Sequence, residues 1–322
     1  MQDINFNQTM ISKLINSTPI AVSRAIKAKK IENIDSEFLH AKKYTLPAIR
    51  EITNEMYANI RRPIRDQMQS FYNFKGGTGK TSLSFQVAVH LSLLGFNVLC
   101  IDLDPQAHLT TIMGIPEGFN GFTMYDCLIN GVPINDAILN CMEGLDIIPS
   151  NISTTRIEVQ LNLKHKREEK LKELLIPLKD KYDFIILDTN PTISTLNMNA
   201  LVASDKINII CETQPFSLNG LRILVEEMLD FFNDMKINPN YCIIPNKFEI
   251  KTATSQEVLG ALRAEYSQYM LNAVVRKSED INLASKKKLP VSSFCKSRSS
   301  SFEDIMDLVH EIVTYSSTVA KK

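Results

Sequence analysis

The 322-residue chain has no Cys-x-x-Cys pair, no excess of charge of either sign and no apolar run long enough to cross a bilayer. Each absence excludes something. The six cysteines, at 100, 127, 141, 211, 242 and 295, show neither paired spacing nor a His/Cys ligand pattern. That argues against a disulfide framework or a zinc module and for a reduced, cytoplasmic protein. A spanning helix needs about 20 mostly apolar residues, and the opening MQDINFNQTMISKLINSTP has no uninterrupted apolar core of the kind a signal peptide carries. The expectation is a chain neither secreted nor integral to a membrane. Lys and Arg balance Asp and Glu at 36 each, so no global field attracts nucleic acid or lipid. There is no internal repeat and no low-complexity segment.

The balance is uneven along the chain. Residues 1–70 carry 11 basic and 7 acidic side chains, a net of +4, which leaves −4 for the remainder. From about Ser70 onward, short apolar runs alternate with amphipathic segments: SFYNF (70–74), VLCIDL (98–103), LDIIP (145–149), FIILD (184–188), INIICE (207–212) and YCIIPN (241–246) read as buried strands. Segments such as 81–94, closed by Gly95, and 218–232 read as helices. This alternation predicts an α/β fold, a mostly parallel sheet with helices on both faces. Its ligands would sit at the carboxyl ends of the strands.

Before Ser70 the pattern is helical, and the chain divides into residues 1–68 and 69–322. Gln8 to Asn16 predicts a short helix, and Thr18 with Pro19 is a good start for a second, IAVSRAIKAKK. Two short helices across a tight polar turn suggest a helix-turn-helix. A third helix is expected from YTLP (44–47), and IRRPIRDQ (60–67) reads as a basic linker into the first strand.

FKGGTGKT (74–81) has the parts of a phosphate-binding loop: Gly76, Gly77 and Gly79 for close backbone approach, Lys80 for the β/γ-phosphates and Thr81 for Mg²⁺. It follows a predicted strand and opens a predicted helix. CIDLDPQAHLT (100–110) places Asp102 and Asp104 on one side of a strand end, separated by the strand period of two. Negative charge beside a triphosphate is unfavourable unless a cation or polarised water intervenes. DFIILDTNP (183–191) ends an apolar strand in Asp188, a position suited to hold Mg²⁺ through its water shell.

Strict GxxxxGK[ST] fails, because Phe74 occupies the first glycine position and Lys75 is an additional lysine. The departure, KGGxGK[ST], resembles the deviant Walker A motif of the ParA/MinD group of P-loop ATPases. The chain is similar to that group from about Ser70 to Val313, through YDCLINGVPINDAI, IIPSN, PFSLNGL, IIPNKF and VVRKSEDINLASKKKLPV in the group's order. Asn190-Pro191 stands where the group has Pro-Pro. The resemblance implies a P-loop ATPase that uses ATP and Mg²⁺, with Lys75 to Ser82, including Thr78, and Asn246 contacting the nucleotide. It gives Thr81, Asp102 and Asp188 to the metal, Asp104 to the attacking water, and Lys75 to the nucleotide of a facing subunit. ATP would then hold a homodimer, and a ParB-like partner would trigger slow hydrolysis on the nucleoid.

Two basic regions are candidate DNA contacts. Arg24, Lys27, Lys29 and Lys30 lie in the second N-terminal helix, in a setting that resembles the operator-binding segment of larger plasmid-type ParA and RepA proteins. Residues 251–298 carry 9 basic and 4 acidic side chains, among them Arg276, Lys277, Lys286, Lys287, Lys288, Lys296 and Arg298. Two other readings stay open: a MinD-like positioning or cell-division regulator and an ATP-switched transcriptional repressor. A MinD-like protein ends in a helix with a basic polar face. Here Glu303, Asp304, Asp307 and Glu311 accompany the apolar positions of the last helix, which predicts packing on the domain rather than on lipid.

Overall fold

A computed structural model describes residues 4–34, 42–61 and 64–319. Two short strands, β1 (Asn5–Asn7) and β2 (Lys43–Thr45), pair antiparallel near the N-terminus. They precede a seven-stranded sheet of β3 (Gln67–Tyr72), β4 (Val98–Asp102), β5 (Leu139–Met142), β6 (Leu145–Ile148), β7 (Phe184–Asp188), β8 (Lys206–Glu212) and β9 (Tyr241–Asn246). The order across the sheet is β5-β6-β4-β7-β3-β8-β9, and every pairing is parallel except that of β5 with β6. The predicted α/β architecture is therefore present, with an antiparallel edge strand that the sequence reading omitted.

The central strands are buried along their length, as in Phe184–Asp188, because helices cover both faces. The helix Lys80–Leu93 and the C-terminal helix Ser300–Val319 share one apolar cluster. The helices between Met124 and Ala203 build a second, and Ser217–Asp234 with Ala253–Tyr266 a third. Phe302, Ile305, Val309, Ile312 and Val313 of the last helix are buried in the first cluster, so its apolar face packs on the domain as its pattern predicts.

One strand is displaced from its expected position. The run 70–74 was predicted as strand, but β3 starts at Gln67 and stops at Tyr72, and Asn73 and Phe74 already belong to the loop. Gln69 and Ser70 are polar yet buried; Gln69 Nε2 donates to Ser316 Oγ (2.9 Å) and its Oε1 accepts from Asn208 Nδ2 (3.2 Å). These bonds remove the desolvation cost that would otherwise keep Gln69 out of a central strand, whereas Ser70 Oγ has no hydrogen-bond partner among the described residues.

The N-terminal helices are Gln8–Leu14, Pro19–Lys29 and Leu46–Met56. Thr18 caps the second by accepting from Ala21 N (3.2 Å), with Pro19 in the first turn. Their apolar residues join the same cluster as the helix Lys80–Leu93. Arg50 reinforces the junction: its Nη1 donates to the carbonyls of Ser92 and Phe96, and Thr53 Oγ1 donates to the carbonyl of Leu93 (2.9 Å). A guanidinium at the negative end of the helix that begins at the phosphate loop is electrostatically favourable. In the expected linker, Arg62 and Pro63 lie outside the described residues, and Arg65 pairs with Asp183.

Candidate nucleotide site

The carboxyl ends of β3, β4, β7, β8 and β9 converge, and each delivers one part of the site. After β3 the chain turns through Asn73, whose Nδ2 donates to the Ile210 carbonyl (2.7 Å) and whose Oδ1 accepts from Lys75 N (2.8 Å). Gly77 and Gly79 adopt φ of +76° and +95°, the left-handed region that side chains disfavour. A Cβ on Gly79 would also lie 2.4 Å from Asn246 Nδ2. Lys80 then opens the helix Lys80–Leu93 with its side chain buried and its Nζ donating to the Lys75 carbonyl (3.3 Å). Burial pushes the Lys80 ammonium down from its ordinary pKa, opposed by Asp188 and Asp104.

β4 and β7 are in register so that Asp102 and Asp188 are neighbours on adjacent strands. Asp102 Oδ2 accepts from Thr110 N (2.8 Å) and Oγ1 (2.7 Å), and Oδ1 accepts from Asp104 N (3.0 Å). Asp102 therefore organises the loop that carries Asp104, whose own Oδ1 accepts from Gln106 N (2.9 Å). Burial raises the Asp102 carboxyl to about 6 despite those bonds. Asp188 Oδ1 accepts from Ser84 Oγ (2.8 Å), while its buried Oδ2 has no hydrogen bond of ordinary geometry among the described residues. Burial and Asp102 push Asp188 up to about 7, and the nearby hydroxyls of Thr81 and Ser84 with Lys80 oppose the rise.

These features fit a metal–nucleotide. Among the described residues, a carboxylate oxygen without a well-formed hydrogen bond, a buried Thr78 Oγ1 without a partner and a loop with open space over Gly76 and Gly77 are what a bound cation and phosphates would complete. Thr81 and Asp188 would hold Mg²⁺, with Asp102 behind them, and the loop amides would hold phosphate.

Asn246, at the end of β9, donates to the Thr78 carbonyl (2.7 Å) and is buried. It braces the phosphate loop and borders a cavity of about 150 Å³ that Gly79, Ser82, Lys277 and Asn282 also line. Ser84, Thr110 and Asn73 went unnoticed in the sequence. They are short polar residues inside otherwise apolar or loop segments, and only the fold shows what they hold. Glu212 and Lys247 were likewise missed. Lys75 Nζ lies 3.0 Å from Glu212 Oε2 and Lys247 Nζ 2.7 Å from Glu212 Oε1.

The basic candidates separate in space. Arg24, Lys27, Lys29 and Lys30 are all exposed, but Lys29 turns to Glu55 (3.5 Å) and Glu51 (3.9 Å) of the next helix. The expected grouping of all four is thus not formed, because residue 29 falls on the opposite side of the helix from 24 and 27 at 3.6 residues per turn. Arg276 grips Asp304 through Nε (2.8 Å) and Nη2 (2.5 Å), and Lys277 pairs with Glu249 (2.9 Å). Lys286, Lys287, Lys288, Lys296 and Arg298 are exposed. Among the described residues no helix is long and apolar enough to cross a membrane.

A family model described as an AAA domain matches residues 66–243, more than half of the chain. The chain is similar to the cell division protein PomZ of Myxococcus xanthus, 33% identical over 225 residues that cover 69% of this chain and 70% of that one. It is 28% identical over 226 residues to the chromosome-partitioning ATPase Soj of Treponema pallidum, covering 70% of this chain and 88% of Soj. A solved structure of a putative plasmid partition protein from Borrelia burgdorferi bound to AMPPNP shares the fold. Its TM-score is 0.66 at 23% identity, over 77% of this chain and 99% of that one.

Proposed function

Because the chain belongs to the ParA/MinD-type partitioning ATPases, which use ATP and Mg²⁺, we propose that it segregates DNA by dimerising around ATP, binding DNA non-specifically and letting go when a ParB-like partner stimulates hydrolysis. The observation that carries this reading is the position of the two loop lysines. Lys80 is buried and lies over its own loop, while Lys75, with a side chain 49% exposed, turns out of the loop toward the end of β8. In this reading Lys80 serves the phosphates of its own subunit, and Lys75, paired with Glu212 in the single subunit, is the one that reaches a facing nucleotide.

In this reading Asp104 orients the attacking water, and Lys80 and Lys75 stabilise charge on the transferred phosphoryl oxygens. Mg²⁺, when bound, supplies further charge neutralisation between phosphate oxygens. Ser82 and the loop amides from Lys75 to Thr81 hold phosphate, and Asn246 sets the floor beside the base. DNA would meet the exposed cations at 24, 27, 30, 286–288, 296 and 298, and the protein would be nucleoid-associated. Exposed Arg24 and Lys27 leave room for operator binding by the same chain. The membrane reading loses its surface, since the apolar face of the last helix is buried in the domain.

ATP turnover measured alone, with non-specific DNA and with the product of the neighbouring gene tests the proposal. Stimulation by the partner is expected, and its absence in every condition would count against a partitioning motor. Lys75→Ala should keep nucleotide binding and lose dimer-dependent hydrolysis. Loss of ATP binding itself would mean that Lys75 serves its own subunit.

A further inference from the structure

Glu212, the last residue of β8, stands opposite Asn246 in the register of β8 with β9 and beside the phosphate loop. Its side chain is only 10% exposed, yet it faces two lysines: Lys75 Nζ at 3.0 Å on one oxygen and Lys247 Nζ at 2.7 Å on the other. Lys247 has a left-handed φ of +56° and also donates to the Gly77 carbonyl inside the loop. Burial alone would push the Glu212 carboxyl up, but the hydrogen bonds from Lys247 and Lys75 outweigh it and hold it below the usual carboxylate range. The charged form is the one the surroundings favour at neutral pH.

We propose that Glu212 is a positioning residue that latches Lys75 onto its own subunit, so that the pair must open before ATP-bound copies dimerise. The proposal rests on the reading of Lys75 as the lysine that serves the facing subunit's nucleotide. A lysine cannot give its full charge to two anions at once, so the strength of the Lys75–Glu212 pair subtracts from the dimer. The second cation makes the latch reversible. When Lys75 leaves, Lys247 remains on Glu212 and on the loop, and the carboxylate is not left buried and unpaired, which would be the costly outcome. Lys75 is half exposed, so solvent screens the pair and the bias stays small enough for ATP to overcome.

The test is sedimentation of the full chain with Mg²⁺ and AMPPNP across protein concentration, for the wild type, Glu212→Gln, Lys75→Ala and the double variant. Two latches open per dimer, so Glu212→Gln should tighten the dimer dissociation constant roughly tenfold, about 1.4 kcal/mol. Added to Lys75→Ala, the same substitution should change nothing. Lys247→Met removes the substitute partner and should shift the constant the other way, which keeps the idea testable if Glu212→Gln does not fold. No shift in Glu212→Gln, or an equal shift with and without Lys75, overturns the latch while leaving the dimer reading in place. A wild type that stays monomeric with AMPPNP, or Lys75→Ala that dimerises like the wild type, removes the reading of Lys75 and the latch together.

Discussion

The hydroxyl of Ser84 lies 2.8 Å from Asp188 Oδ1 and 2.9 Å from the Lys80 carbonyl, so the first turns of the phosphate-loop helix and the end of β7 share one buried proton. Both side chains have no solvent exposure. Among the described residues Asp188 Oδ2 has no bond of ordinary geometry, so the Ser84 hydroxyl makes the one well-formed side-chain hydrogen bond to this carboxyl, with the Thr81 hydroxyl nearby. Ser84→Ala should therefore lower the stability of the nucleotide-free protein by about 1–3 kcal/mol, the cost of leaving a buried acceptor unsatisfied. Urea denaturation reads this directly, and an unchanged midpoint would show that another group takes the place of the hydroxyl.

Gly79 is the loop position with the least freedom to change. Its φ of +95° strains any side chain, typically by about 1–3 kcal/mol, and a Cβ there would drive Asn246 off the Thr78 carbonyl. Gly79→Ala should destabilise the fold and weaken ATP binding at least tenfold by titration calorimetry. Gly76→Ala, at a position with no atom within 4 Å of a new Cβ, should fold with near wild-type stability in the absence of nucleotide. Equal damage from both substitutions would refute the assignment of strain to Gly79.

Much of this site is legible in the sequence, and the reasons for the rest are physical. Strands β7 and β9 announce themselves as apolar runs bounded by polar residues, and their observed limits, Phe184–Asp188 and Tyr241–Asn246, are those the runs predict. β5 does not, since Leu139–Met142 is a four-residue edge strand with a mixed burial pattern. The β1–β2 pair joins residues 5–7 to 43–45, a pairing that no local pattern encodes. The loop motif and the two strand-end aspartates are visible because chemistry fixes their spacing. Glu212, Lys247 and Lys75 meet only after three separate strand ends are brought together, so their contact belongs to the fold.

The split of the basic residues gives a sharper expectation for DNA than charge counting. Arg24 and Lys27 lie three residues apart on one exposed helix face, whereas Lys29 is engaged with Glu51 and Glu55. If the N-terminal helix meets phosphate, Arg24→Ala with Lys27→Ala should weaken DNA binding and reduce the slope of log K against log salt by about 0.9 per lost contact. Lys29→Ala should leave that slope alone and cost at most about 1 kcal/mol of stability. A slope that falls with Lys29→Ala and not with the pair would place the contact on the other face.

His90 supplies a dependence on pH far from the nucleotide. Its Nδ1–H donates to the Gln86 carbonyl (2.6 Å), and its Nε2 accepts from Ser292 Oγ (2.9 Å), tying the phosphate-loop helix to the turn at Val291–Ser293. Burial pushes the ring from 6.5 down to about 4, with the Gln86 bond opposing and His310 adding to the fall. The unfolded chain thus binds this proton more readily, so the stability that His90 contributes is intact above about pH 6.5 and is lost as pH falls toward 4. The full effect is on the order of 3 kcal/mol, at about 1.4 kcal/mol per pH unit. Asp102 and Asp188, raised to about 6 and about 7, have the opposite sign: their contribution is present at low pH and fades as pH rises through those values. Both proteins in a comparison of wild type with His90→Gln retain these carboxyls, so the difference isolates the imidazole. In urea denaturation at pH 7.5 and pH 5, the wild type should lose more stability than His90→Gln over that interval. Parallel losses would mean that His90 takes up its proton as readily in the folded state as in the unfolded chain, which the two hydrogen bonds and the burial of the ring oppose.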